Sequence, residues 1–391
     1  MNINLTKKFF LLFLATFLIR ASIFYFYIQH EERYQQADSM DYHIGGLCIA
    51  LGHGMYNPGA DRPIFWRTPG YPAYLATFYN FFGITDTSFE ANSKALKASI
   101  WVQIFLSSLL PILIFYLALI LLNSLFIAWA AAWISVFHIG FILSSTYILT
   151  EGLATVFFVA YLLCFFLTLK SSNIPHPLIP SIFRSKTEKN VSRDKLKYLI
   201  SSAILLAIFT WIRPMGQTLA IVSLIILLFS HLNLHNWKKN LFNSGIFFII
   251  FFTCISPWYV RNHNLTGQWF FFPVFGPYLT CFCAPKIHAK VNNLELSESH
   301  KILTRLGGHF TYQAMLENQK SGSKNYICPE IACLPAALPL IKEHPFLFAR
   351  DWIVEVCKTT FDLYSSQLVA FATNCYKFDP LVEYLDQKIK A

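Results

Sequence analysis

The chain has 391 residues, of which 55% are hydrophobic and 13% charged, and its mean hydropathy is +0.45. This composition is too apolar for a soluble protein of this size and predicts an all-α polytopic membrane protein. The formal charge of +10 would suit nucleic acid, but no basic stripe interleaved with exposed aromatics lies outside the loops between apolar runs. Anionic membrane lipid is therefore the expected counter-charge, and no nucleic-acid partner is expected.

Hydrophobic runs of about 20 residues mark the bilayer crossings. The N-terminal run is longer than the apolar part of an ordinary signal peptide and is not followed by a small-residue cleavage site, so we expect it to be retained as the first span. The pattern predicts about seven spans, at residues 8–28, 99–122, 125–145, 151–169, 198–212, 216–234 and 241–258.

Lysine and arginine residues predict the orientation, because short loops rich in them stay on the cytoplasmic side. They cluster before the first span, through the segment 170–197 and in the stretch "NWKK", and these places share one side of a seven-span bundle. We therefore expect a protein of the cell (inner) membrane with a cytoplasmic N-terminus. Residues 1–262 would form the membrane module, with its first outer loop at 30–97, and residues 263–391 an extracytoplasmic region.

The first outer loop begins with two carboxylates. In "DSMDYHIGGLCIALGHG" the apolar residues recur every three to four positions, which predicts a short helix lying in the membrane interface. Asp38 stands at the start of that helix and Asp41 three residues later. They can cap free backbone N–H groups, or act as a general base at the boundary between water and lipid. The two roles are compatible, and the residues alone leave both open.

A second short apolar helix is predicted after the Pro- and Gly-containing stretch "DRPIFWRTPGYP". Trp66 and Tyr71 suit the headgroup zone of a membrane. Arg67 beside them either anchors the loop at the interface or binds a phosphate bidentately.

The C-terminal region is mixed in character. The stretch "HPFLFARDWIVEVCKTTF" predicts an amphipathic helix with Pro345 near its start. Among the nine cysteines of the chain, a disulfide such as Cys328 to Cys333 is one open alternative. A metal site is not expected, because no His is well spaced among the outer cysteines.

Five segments in order carry a resemblance to a known family: "DSMDYHIGGLCIALGHGMY", "WRTPGYPAYLATFYNFFG" with the following "WVQIFLSSLL", "SSTYILTEGL", "TWIRPMGQ" and "PWYVRNHNLTG". Across roughly residues 8–270 the chain resembles the integral-membrane GT-C glycosyltransferases of the glycosyltransferase family 39 type. That family includes protein mannosyltransferases and lipid A aminoarabinose transferases. The resemblance implies a GT-C-like helix bundle with interfacial helices in its first outer loop.

The resemblance also implies a function. The expected donor is a polyprenyl-phosphate-linked hexose or pentose, the acceptor an envelope lipid, glycan or protein, and the reaction takes place on the extracytoplasmic face. No cofactor or divalent metal is expected. The catalytic base of the family's first outer loop maps onto Asp38, with Asp41 as the second choice. The base would deprotonate the acceptor, which would attack the anomeric carbon and invert it.

Positive charge near the leaving phosphate would lower the barrier of such a reaction. Glu151 opens a span, where it is expected to orient an arginine or the acceptor, or to interact with the helix dipole. Arg20, inside the first span, is expected to reach outward or to pair within the bundle. The candidate substrate-binding residues are Arg67, Tyr71, Arg213, Arg261 and Asn262.

Two alternatives come from other classes. A transporter or flippase of lipid-linked sugars would show ionisable residues or broken helices near the midplane and two related halves. The sequence has no evident internal repeat. An inactive relative that only binds lipid would retain the same motifs.

Overall fold

The computed structural model describes residues 3–29, 33–36, 38–57, 61–84, 87–169, 188–229 and 237–361. The chain divides into two compact units, Met1–Phe272 and Pro273–Ala391. The described part is almost entirely helical, which confirms the predicted all-α fold class. The predicted basic connection at 170–197 lies mostly outside the described residues.

The first unit contains eleven helices and one two-stranded hairpin in the part of the chain that is described. The helices are α1 Ile3–Ile23, α2 Ser39–Ala50, α3 Gly70–Phe82, α4 Ser93–Ser107, α5 Leu110–Leu122, α6 Leu125–Phe137, α7 Ile139–Thr146, α8 Glu151–Leu169, α9 Glu188–Ile212, α10 Gly216–Phe229 and α11 Trp237–Thr266. A π-helical turn, Phe24–Ile28, extends α1. Strands β1 (Tyr56–Asn57) and β2 (Arg62–Pro63) pair antiparallel within the loop between α2 and α3.

Five stretches are long and apolar enough to cross a membrane. They are Leu5–Ile28, Ser93–Leu122, Glu151–Leu169, Lys195–Ile212 and Trp237–Thr266. A sixth crossing is made if the bent pair α6 and α7 counts as one span. This confirms a polytopic membrane protein.

Two of the seven predicted spans differ from a simple helix. The span predicted at 125–145 bends by 49° at His138, whose extended backbone ends α6 and whose ring nitrogen accepts a hydrogen bond from the N–H of Phe141. The sixth predicted span, 216–234, contains α10, which has 14 residues, and its last five positions lie outside the described residues. At about 1.5 Å per residue, a helix of that size is some 21 Å long and is shorter than a bilayer core.

The bundle core forms along one stripe of α1. Its buried residues recur about every four positions and pack against the inner faces of α5 and α6. The cluster consists of Leu5, Phe9, Leu12, Phe115, Leu119, Ala128, Ala132 and Val136. Small residues on α6 let the aromatic rings of Phe9 and Phe115 approach closely, at 5.1 Å between centroids.

Arg20 lies on the same stripe, one turn before Phe24. It is fully buried, and its three guanidinium nitrogens have no hydrogen-bond partner within the described chain. The expectation that it reaches outward or pairs was therefore wrong. Leu5, Leu12 and Phe24 share the helix face on which Arg20 projects, so packing of that face draws the side chain into the bundle.

The two short helices of the first loop pack against each other. A Cβ on Gly46 of α2 would lie 2.9 Å from the ring of Tyr79 on α3, so glycine permits the close approach. His43 fixes the pair, because its ring bonds the Tyr79 hydroxyl at 2.7 Å and the carbonyl of Thr87 at 2.9 Å. The two predicted short helices are confirmed as α2 and α3, although α3 begins at Gly70, inside the stretch "DRPIFWRTPGYP" that was expected to precede it.

The second unit is a separate helical assembly. Its helices are α12 Phe275–Pro277, α13 Ala284–Asn292, α14 Leu296–Lys320, α15 Pro329–Ala332, α16 Leu338–Glu343 and α17 Pro345–Phe361, with a π-helical turn at Tyr278–Cys283 and a 3-10 turn at Leu334–Ala336. Helix α17 confirms the predicted amphipathic helix, and Phe348 on it packs against the unit's core. An ion pair between Asp351 and Lys290 (2.6 Å) joins α17 to α13.

No disulfide joins Cys328 and Cys333 in this unit. The Cys328 thiol instead donates to the Glu330 carboxylate at 3.2 Å. The thiol of Cys333 lies 3.6 Å from the carbonyl oxygen of Glu330 and 3.7 Å from the Thr280 hydroxyl. The alternative of a bridge between these two cysteines was wrong for this structure.

Candidate active site

Helix α2 places three functional side chains on one face. Asp38 precedes its first residue, and Asp41 and Tyr42 follow three and four positions later, the spacing at which helical side chains are neighbours. Asp38 occupies the N-cap position but makes no side-chain capping hydrogen bond. The capping role that the sequence left open is therefore wrong for Asp38.

Arg67 binds both carboxylates. Its terminal Nη2 lies 2.6 Å from Asp38 and 2.8 Å from Asp41, and its Nε donates to the same Asp41 oxygen at 3.0 Å. Burial opposes the charge of Arg67, but Tyr42, Asp38 and Asp41 more than offset it, so the pKa of Arg67 is raised. The guanidinium group is therefore held as a cation.

Tyr42 is a site residue that the sequence reading missed. Its ring lies under the Arg67 guanidinium group, 5.0 Å from ring centroid to Cζ, and its hydroxyl lies near the Thr150 side chain. Burial raises the pKa of the Tyr42 phenol, so the neutral form is favoured. The available signal was its place four residues after Asp38 on an amphipathic helix.

A second ion pair lies beside Tyr42. Arg213 contacts the carboxylate of Glu151, the first residue of α8, and donates from Nε to the Thr150 hydroxyl at 3.0 Å. The Thr150 hydroxyl also donates to the Glu151 carboxylate at 3.3 Å, and it lies near Tyr42. Together with Asp38, Asp41, Arg67 and Glu151 these residues form one polar cluster.

Docking of the loop onto α9 brings the two ion pairs together. The Thr68 hydroxyl donates to the carbonyl of Ile212 at 2.9 Å, immediately before Arg213. A Cβ on Gly70 would lie 2.5 Å from the carbonyl oxygen of Trp211, so only glycine fits this contact without movement. The "RTPG" stretch is therefore seated directly on the end of α9.

Tyr71 lies behind Tyr42 rather than on an open surface. It is fully buried, its ring meets that of Tyr42 edge-on at 5.2 Å, and its hydroxyl donates to Gln103 at 3.1 Å. The Gln103 amide in turn donates to the carbonyl groups of Ser144, Ser145 and Tyr147. The predicted contact of Tyr71 with substrate stays a prediction, and its observed role is to support Tyr42.

Arg261 and Asn262 form a second group. Arg261 lies over the ring of Trp258 at 4.4 Å and donates to Asn262 (2.8 Å) and to the carbonyls of Met55 and Ile64. Asn262 is fully buried and donates to the carbonyl of Phe270. Within the described residues, their recorded hydrogen bonds and ion pairs do not reach the polar cluster. Their predicted binding of substrate stays a prediction.

The polar cluster has the charge pattern of a site for an anion and a base. Three carboxylates face two guanidinium groups, which leaves one net negative charge when all are ionised. Asp38 is the most open carboxylate, with 51% of its side chain exposed against 34% for Asp41 and 39% for Glu151. In the described part of the chain, no group of three His, Cys, Asp or Glu side chains is arranged to hold a metal ion.

Comparison with known proteins gives one match, to a protein-family model that covers residues 78–176 of the chain. No curated protein and no solved structure matches the chain. The matched stretch, residues 78–176, runs from the end of α3 through α8 and includes Gln103 and Glu151, while Asp38, Arg67 and Arg213 lie outside it. The match supports a membrane glycosyltransferase with a polyprenyl-phosphate sugar donor. Residues 78–176 match the family model of the dolichyl-phosphate-mannose-protein mannosyltransferases, which confirms the resemblance to GT-C glycosyltransferases.

Proposed function

We propose that this chain transfers a hexose or pentose from a polyprenyl-phosphate carrier to an envelope lipid, glycan or protein on the extracytoplasmic face, with Asp38 as the general base. The observation that carries the proposal is the polar cluster, in which Asp38, Arg67, Glu151 and Arg213 meet from three separate parts of the chain. The family match at 78–176 supports the donor class.

The contacts favour Asp38 over Asp41 as the base. Asp41 accepts two hydrogen bonds from Arg67 on one oxygen, so its role is to hold the guanidinium group. The recorded contacts of Asp38 in the described chain involve only Oδ1, and half of its side chain is exposed. An acceptor can therefore approach Asp38 within hydrogen-bond distance, as a general base requires.

In the proposed step, the Asp38 carboxylate takes the proton of an acceptor hydroxyl or amine while the acceptor atom bonds to the anomeric carbon. The bond from that carbon to the phosphate oxygen breaks, and its electron pair stays on the phosphate. Configuration at the anomeric carbon inverts, and the phosphate gains negative charge. In this proposal Arg67 and Arg213, the two guanidinium groups of the polar cluster, stabilise that charge.

A transporter or flippase of lipid-linked sugars is the second candidate. The broken span of α6 and α7 and the buried Arg20 are features that transporters use. A transporter leaves the bond between sugar and phosphate intact, and so does an inactive relative that only binds lipid. Cleavage of the donor therefore separates the glycosyltransferase from both alternatives.

The test is donor cleavage by the purified full chain in liposomes, with a labelled polyprenyl-phosphate sugar and envelope membranes as the acceptor source. General-base catalysis contributes about 10²–10⁴-fold, so Asp38→Asn should lower the release of polyprenyl phosphate by at least about 100-fold. Asp41→Asn should lower this release by a smaller factor, because Asp38 is still present and still pairs with Arg67. Asp351→Asn, a paired carboxylate of the second unit, is the matched control. Undiminished release by Asp38→Asn removes it from the base role, and a larger loss in Asp41→Asn moves that role to Asp41.

A further inference from the structure

In the described part of the chain, Glu151 is the only carboxylate in contact with the terminal nitrogens of Arg213. On the proposed function, a donor phosphate needs an arginine whose nitrogens can turn to it. In this structure both cluster arginines are already neutralised by carboxylates of the chain. The question is which carboxylate the phosphate displaces.

The pair of Arg213 and Glu151 is the easier one to open. About a third of each side chain is exposed, 34% for Arg213 and 39% for Glu151. Arg67 is only 20% exposed and is held by two carboxylates through three contacts. Ion pairs that are partly open to solvent contribute little stability, whereas a more buried group with several partners costs more to free.

Arg213 is also held in place without Glu151. Its Nε donates to Thr150, and its backbone N–H bonds the carbonyl of Phe209 at 2.6 Å and so continues the α9 hydrogen-bond pattern. Thr150 is itself buried, and its backbone carbonyl accepts a hydrogen bond from the N–H of Ala154 at 2.8 Å, a bond that does not involve the Glu151 carboxylate. The guanidinium group therefore keeps its position when Glu151 moves away.

We propose that the Glu151 carboxylate pairs with Arg213 only in the absence of ligand. When the lipid carrier binds, its phosphate replaces Glu151 on Arg213. This inference rests on the proposed function and adds a regulatory step to it. Displacement removes a negative charge from the phosphate position and leaves the cation in place. It also lets the cluster, with its net negative charge, accept an anionic ligand.

Competition with phosphate and orientation of Arg213 predict opposite effects on phosphate affinity when the charge of Glu151 is removed. If Glu151 competes with phosphate, Glu151→Gln binds the lipid phosphate more tightly. If Glu151 aligns Arg213 for phosphate, the same substitution weakens binding. The free energy of one exposed pair corresponds to a gain of about two- to fivefold in affinity.

The experiment measures binding of polyprenyl phosphate without sugar, and of polyprenol as the uncharged reference, to the full chain in nanodiscs. Wild type should prefer the phosphate, Arg213→Gln should lose the preference, and Glu151→Gln should strengthen it about two- to fivefold. Asp351→Asn makes the same change of charge at the ion pair with Lys290 and should leave affinity unchanged.

The outcomes separate the two claims. Equal binding of phosphate and polyprenol by wild type would count against the proposed function. Selective binding by wild type with equal or weaker binding by Glu151→Gln would overturn the exchange alone. If Glu151→Gln does not fold, Glu151→Asp replaces it. Its shorter side chain weakens the pair while keeping the charge, so its affinity should rise by a smaller factor, and a fall would again overturn the exchange.

Discussion

At the scale of single residues, the polar cluster depends on Tyr42. Its ring supports Arg67 from below, and its hydroxyl reaches Thr150, which also binds Arg213. One tyrosine thus connects the loop that carries the base to the helix ends that carry the second arginine. The connection accounts for a buried tyrosine near the start of α2.

Tyr42→Phe tests that connection. The substitution keeps the ring under Arg67 and removes the hydroxyl that lies near Thr150. Donor cleavage should fall about three- to tenfold in turnover with little change in the donor KM, since positioning rather than binding is lost. Tyr312→Phe, an exposed tyrosine of the second unit, is the control. Unchanged turnover in Tyr42→Phe would mean that the Tyr42 hydroxyl has no part in positioning.

Single residues also show which features of the site could not be predicted from the sequence. The reading identified Asp38, Arg67, Glu151 and Arg213 one by one, because charges at the ends of apolar runs are visible in the pattern. It did not show how they pair, because Arg213 and Glu151 are 62 positions apart along the chain and only the packing of α8 and α9 brings their ends together. Burial of Arg20 was missed for the same reason.

At the scale of elements, packing of the first loop against the end of α9 determines whether Arg67 and Arg213 lie in one cluster. Gly70 begins α3 against the backbone of Trp211, and Thr68 bonds the next residue of α9. The separation of Arg67 from Arg213 is therefore set by the close approach of the Gly70 and Trp211 backbones and by the short, buried Thr68 side chain.

Gly70→Ala should disturb this packing. The new Cβ would lie 2.5 Å from the Trp211 carbonyl oxygen, and a backbone atom cannot turn aside as a flexible side chain can. We expect the loop to shift and donor cleavage to fall about tenfold or more, in line with the sensitivity of catalysis to small displacements. Insertion into the membrane should persist, as judged by the yield of folded protein.

Gly245→Ala is the matched control, because nothing lies within 4 Å of a Cβ at that position of α11. It should cleave donor as wild type does. If Gly70→Ala also retained wild-type cleavage, packing of the loop against α9 would not set the geometry of the cluster.

The sequence pattern predicted well which segments are helical, but it did not predict where a helix is broken. Periodic apolar residues predicted α2, α3 and α17, and apolar runs predicted the spans. The break at His138 lies inside an unbroken apolar run, and a residue in extended conformation leaves no mark on hydropathy. The sixth predicted span runs on from α10 into residues 230–234, which lie outside the described residues.

At the scale of the whole molecule, the account requires the cluster to face the extracytoplasmic side. Positive charge supports this orientation, and Lys195 and Lys239, at the starts of two spans, lie close enough to interact electrostatically. These lysines mark one end of α9 and α11, while Arg213 follows the other end of α9. The expected cytoplasmic and outer residues thus lie at opposite ends of the same helix.

Labelling of single cysteines in a cysteine-depleted chain tests the orientation in intact cells. An impermeant maleimide should label Glu90→Cys, which lies in the exposed part of the first loop, and should reach Asn190→Cys only after the membrane is permeabilised. The reverse pattern would invert the topology and place the cluster on the cytoplasmic side.

The central claim is that the chain adds a sugar to an envelope component and that Asp38 is the base. Mass spectrometry of glycolipids and other envelope components, in cells from which the chain has been deleted, tests it most directly. One glycosylated envelope species should be lost, the wild-type chain should restore it, and an equally abundant Asp38→Asn chain should not. An envelope unchanged by deletion, or full restoration by Asp38→Asn, would contradict it.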